Sequence, residues 1–132
     1  MNVNIYGRIT NENVKNIKSK LSSLTVINIR ESVIEIGDNT FKENCNGIKK
    51  VTIGESVTKI GKEAFFTYNL EELVIGNSVQ TIGNDAFTGI KQDSNVYYCG
   101  IQSLNSIHFL PSQSSLRIHI PSYISTWSIW ET

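Results

Sequence analysis

Apolar residues recur along this chain in a fixed phrase, and the phrase repeats. Leu24-x-x-Ile27-x-Ile29-x-x-x-Val33-x-x-Ile36-Gly37-x-x-Thr40-Phe41 aligns without gaps with Ile48-x-x-Val51-x-Ile53-x-x-x-Val57-x-x-Ile60-Gly61-x-x-Ala64-Phe65. Both align with Leu70-x-x-Leu73-x-Ile75-x-x-x-Val79-x-x-Ile82-Gly83-x-x-Ala86-Phe87. Ile27, Val51 and Leu73 stand 24 and 22 residues apart, and a difference of that size is absorbed by a turn. Self-similarity at this period is the signature of a solenoid, in which one coil cannot bury its apolar face alone and stacked coils can.

Each phrase predicts one coil. Ile27 and Ile29, Val51 and Ile53, and Leu73 and Ile75 alternate with polar or exposed positions, as on a short strand with one buried face. Gly37, Gly61 and Gly83 mark a position that needs either positive φ or close approach of backbone. Thr40, Ala64 and Ala86 make room for Phe41, Phe65 and Phe87, which predicts a stacked aromatic column.

The residues resemble the BspA-type leucine-rich repeat, also described as Treponema-type, most strongly over residues 24–90. The resemblance implies a right-handed solenoid with a strand ladder on one face. Two departures stand out. Arg30, Gly54 and Gly76 occupy the place after the strand where the family often has Pro. Asn44, Tyr68 and Ile90 replace the family's Cys, with Cys45 one place late.

The flanking regions are expected to complete one domain over residues 1–132. Residues 1–23 read as an N-terminal cap, with Val3 and Ile5 on a strand. Thr10 caps a helix there whose Val14, Ile17, Leu21 and Leu24 follow helical spacing. Residues 91–100 read as an insertion. Within 101–132, degenerate coils are expected around Leu104-x-x-Ile107-His108-Phe109 and Ile118-His119-Ile120-Pro121. A closing cap carrying Tyr123, Trp127 and Trp130 follows, similar to the family's.

Composition narrows the function. The 132 residues carry 12 basic and 12 acidic side chains, so no net charge draws the chain to nucleic acid or acidic membrane. Residues 1–23 hold four basic residues against one acidic, and residues 24–90 six against nine. The basic helix end, with Lys15, Lys18 and Lys20, offers a weak RNA reading, but the acidic repeats oppose a continuous nucleic-acid groove. No apolar run approaches the ~20 residues of a membrane span.

No phosphate loop, nucleophile elbow or Cys-x-x-Cys is present, so the chain reads as no enzyme and implies no cofactor. His108 and His119 are expected on neighbouring strands, but two imidazoles fall short of the three or four ligands of a zinc site. Cys45 and Cys99 are expected as free thiols, because pairing them would require residues 91–100 to fold back.

What remains is recognition. A rigid ladder of strands lets outward residues vary without disturbing the core. The expected contact residues are Asn28, Thr52, Val74, His108 and His119 on the ladder, Lys49 and Glu72 on its flanks, and Tyr97 and Tyr98 on the insertion. The partner is expected to be another protein, met by a monomer. The first eight residues lack the basic and apolar stretches of a secretory leader, which favours the cytoplasm over a chain whose leader has been removed. Size and the lack of catalytic motifs favour a small intracellular binder or inhibitor, such as a phage-like inhibitor of a host defence nuclease. The family resemblance implies the alternative, a surface or secreted adhesin.

Overall fold

A computed structural model describes residues 2–7, 23–42, 45–67, 69–99 and 117–119. Among them, nine strands form two parallel sheets and there is no helix. The wide sheet contains β1 (Asn2–Ile5), β2 (Val26–Ile29), β4 (Lys50–Ile53), β6 (Leu70–Ile75), β8 (Ile90–Tyr98) and β9 (Arg117–His119), in that order. The narrow sheet contains β3 (Glu35–Ile36), β5 (Lys59–Ile60) and β7 (Thr81–Ile82). Neighbours in each sheet come from successive coils, which is the arrangement of a leucine-rich-repeat solenoid.

Register is set by the apolar columns. Ile27 pairs with Val51 and Val51 with Leu73; Ile29 pairs with Ile53 and Ile53 with Ile75. All six are buried. A slip by one residue would turn Asn28, Thr52 and Val74 into the core, so burial on one face holds the register. Ile36, Ile60 and Ile82 line the narrow sheet, and Val33, Val57 and Val79 fill the corner between the two sheets.

The third side closes on the phenylalanines. Phe41 and Phe65 stack at 4.9 Å with rings 14° apart, and Phe65 and Phe87 at 5.3 Å and 5°. These spacings follow the 4.7–4.9 Å rise between parallel strands, so the column grows by one ring per coil. Backbone bonds tie this side together: the Phe41 N–H donates to the Ala64 carbonyl and the Phe65 N–H to that of Ala86, both at 2.7 Å. The buried Thr40 hydroxyl donates to the Gly37 carbonyl at 2.7 Å.

Gly61 and Gly83 serve close approach rather than positive φ. A Cβ on Gly61 would stand 2.5 Å from Asp38 N, and one on Gly83 would overlap Lys62 N. The left-handed backbone falls two residues later, at Asn39 (φ 57°), Glu63 (φ 51°) and Asp85 (φ 57°). The same coil position therefore carries left-handed backbone three times on residues other than glycine.

Three expectations change at the flanks. Val3 and Ile5 pair with Ile27 and Ile29, so the N-terminal strand is a rung of the ladder rather than a separate element. Residues 91–98 are not a loop but part of β8. Asn95, Val96, Tyr97 and Tyr98 pair with Glu72, Leu73, Val74 and Ile75. The insertion shrinks to a bulge between Leu70↔Ile90 and Glu72↔Asn95, where β8 has four intervening residues and β6 has one. Asp93 takes φ 62° inside that bulge, and the buried Ser94 hydroxyl donates to the Leu70 carbonyl at 2.9 Å. The strand beside β9 is β8, so Asn95–Tyr97 hold the place next to β9 that was expected for the strand at 107–109. The cap helix at 10–21, the segment around His108 and the closing cap at 121–130 lie outside the described residues.

Candidate functional site

Alternation along the strands gives the wide sheet an inner and an outer face. Val26, Asn28, Lys50, Thr52, Glu72 and Val74 look outward, and the buried residues between them look inward. The register therefore lays two rows across the outer face. One runs Asn2, Val26, Lys50, Glu72, Asn95, Arg117; the other runs Asn4, Asn28, Thr52, Val74, Tyr97, His119. Six strands at 4.7–4.9 Å per step make this face about 24 Å across.

The charges on the face are matched between coils. Lys50 Nζ meets Glu72 Oε1 at 2.5 Å, and Glu71 lies between Lys91 at 2.7 Å and Lys49 at 3.9 Å. The hydrogen bond from Lys91, then the charges of Lys49 and Lys91, hold the Glu71 carboxyl below the usual glutamate range. Lys49 and Glu72 are thus both engaged within the stack, as the flanks of the row behind.

The second row changes character along its length. Asn28 Nδ2 donates to Asn4 Oδ1 at 3.1 Å, and Arg30 Nε donates to the same oxygen at 3.2 Å. Thr52 and Val74 are half-buried in the middle. At the far end Tyr97 and His119 stack, with ring centroids 4.4 Å apart and planes 13° apart. His119 Nε2 lies 3.2 Å from Asn95 Oδ1. The row passes from amides, through small side chains, to an aromatic pair.

Just past this row, successive coils meet backbone to backbone. A Cβ on Gly54 would stand 2.5 Å from the Ile29 carbonyl oxygen, and one on Gly76 the same distance from that of Gly54. This close contact is why glycine stands where the related pattern has Pro. The line ends at the exposed Cys99, a free thiol. Cys45 is also free and lies in the core, where burial pushes its thiol up to about 11.

The BspA type leucine-rich repeat region matches in six copies across residues 9–129. The chain belongs to the BspA-type leucine-rich repeat family. No curated protein and no solved structure matches it. Leucine-rich repeats of this kind suggest a protein-binding module, and a BspA-type solenoid is typically a binding scaffold rather than a catalyst. Among the described residues no three His, Cys, Asp or Glu side chains converge as a metal site would require, and no helix is long and apolar enough to cross a membrane.

Against this BspA-type framework the expected contact residues sort clearly. Asn28, Thr52, Val74 and His119 share one outward row. Tyr97 joins them as the direct neighbour of His119, in the place expected for His108. Tyr98 does not belong to the face. It pairs with Ile75, is 3% exposed, and burial raises its phenol above the ordinary value. His108 and the basic residues Lys15, Lys18 and Lys20 lie outside the described residues. Asn4, Arg30 and Asn95 were missed. The spacing could have found them, because Val3 stands 24 residues before Ile27 and Val96 stands 23 after Leu73.

Proposed function

We propose that this chain is a non-catalytic binder or inhibitor of another protein, working as a monomer through the outer face of its wide sheet. One observation carries the reading. The inward positions repeat the same chemistry from coil to coil, Ile27, Val51, Leu73 and Val96, while the outward row changes at nearly every step, Asn28, Thr52, Val74, Tyr97 and His119. A core that repeats and a face that does not is the division of labour of a recognition scaffold. The aromatic pair adds rigid contact area of the kind that anchors interfaces. The same reading assigns the chain to the cytoplasm, where the exposed Cys99 would stay reduced.

The test is comparative affinity capture from the source lysate, using the wild-type chain and the double variant Thr52→Arg, Val74→Arg. Both side chains point outward, so the variant should keep its thermal midpoint and lose the captured protein. Retention of the same protein by a folded variant would move the site off this face. Capture should fall only modestly between low and physiological salt, by no more than a single exposed charge pair allows. A steep fall would point instead to the charged contacts of the RNA reading, since exposed charges are screened over roughly 8–10 Å at those ionic strengths.

A further inference from the structure

We propose that Arg30 is the anchor of this face and that it takes a side-chain carboxylate of the bound protein. The inference deepens the protein-binding reading and rests on it. Arg30 is exposed at the end of β2, and its N–H donates to the Ile5 carbonyl at 2.9 Å. Its guanidinium is held from one edge. Nε donates to Asn4 Oδ1 at 3.2 Å, and Asn28 Nδ2 donates to that same oxygen at 3.1 Å. Two donors on one oxygen orient the Asn4 amide, and the amide in turn ties the Nε edge of the guanidinium. Among the described residues the Nη groups make no hydrogen bond or ion pair. They form the end-on fork that matches a carboxylate with two parallel hydrogen bonds.

The surroundings favour an occupant with a single negative charge. The lysines at the other end of the strands, Lys49 and Lys50, are engaged with Glu71 and Glu72, and Arg117 donates to the Asp93 carbonyl at 3.3 Å. Arg30 thus offers an unspent, oriented pair of donors. Glu31 and Glu55 follow Arg30 and Gly54 on successive coils, and both are exposed. Their charges repel a polyanion from this end of the sheet while leaving room for one carboxylate, which favours an acidic protein segment over a nucleic acid. Tyr6, 64% exposed, lies one step beyond the Ile5↔Ile29 pair and so beside Arg30. Tyr and Arg together are the residue types that dominate interface energetics.

The test is selection of a random-peptide display library on the full chain, with the recovered peptides measured against variants. Peptides carrying Asp or Glu at a fixed position should be enriched. They should bind Arg30→Gln about tenfold more weakly, the loss of a charge-assisted contact. Arg30→Lys should bind nearly as weakly, because it keeps the charge and loses the fork. Asn4→Ala should weaken binding by a smaller factor, through the released Nε edge. All three variants should keep the wild-type thermal midpoint. Equal binding by Arg30→Lys and wild type would overturn the fork. Peptides lost on Thr52→Arg, Val74→Arg but free of acidic preference would overturn Arg30 and leave the face intact. No enrichment, or binding indifferent to every one of these changes, would overturn both.

Discussion

Phe65 shows how much of the fold rests on single side chains. It is fully buried, with a ring stacked on each side. Phe65→Ala opens a cavity mid-column and should cost about 3–5 kcal/mol, read as a shift in the denaturation midpoint. A negligible shift would mean that the column is not a supporting element. The cysteines give a second residue-scale reading. Cys45 is enclosed and its thiol stays protonated well above neutral pH, whereas Cys99 is exposed. A thiol reagent should therefore titrate one cysteine in the folded chain and two in denaturant. Two fast-reacting thiols under native conditions would contradict the core placement of Cys45.

At the scale of the coil, Gly61 and Gly83 serve contact, and the residue two places on turns left-handed. Gly83→Ala should destabilise by more than about 1 kcal/mol, because its new methyl meets Lys62 backbone. Asp85→Gly should be neutral or stabilising by up to about 1 kcal/mol, because it relieves φ 57°. Reversal of these signs in thermal melts would return the positive φ to the glycine. Between coils, Lys42 holds the Glu63 carboxyl below its usual value, and Lys91 and Lys49 do the same for Glu71. A folded pKa below the unfolded one contributes stability that is fully present above the unfolded value, near 4.3, and is lost as pH falls through the folded value. The melting temperature should hold from neutral pH down to that point and fall below it. Salt added at neutral pH should weaken the same exposed pairs.

The repeats over 24–90 were legible because every inward position is apolar and the period survives turn-length changes. The rung at 95–98 was hidden for a physical reason. Lys91-Gln92-Asp93 carries no apolar side chain, the bulge shifts the phrase, and Tyr98 stands where the earlier coils have Ile. The glycine lay within reach of sequence only as an alternative, since close approach and positive φ ask for the same residue. The candidate face was legible in its middle, at Asn28, Thr52 and Val74. Its ends needed the strand pairing: Asn4 and Arg30 come within reach only by extending the 24-residue spacing back to Val3, and Tyr97 and His119, both expected at the surface, were not expected as direct neighbours.

For the molecule as a whole, stacking makes two surfaces of different kinds. The narrow sheet presents Glu35, Lys59 and Thr81, with Glu35 and Lys59 paired at 3.0 Å. The wide sheet presents the changing row. The central claim is that partner contact belongs to the wide sheet. A photo-crosslinking residue placed at Val74 tests it against the same residue placed at Thr81 on the narrow sheet. Val74 should crosslink to the captured protein and Thr81 should not; crosslinking from Thr81 alone would contradict the account.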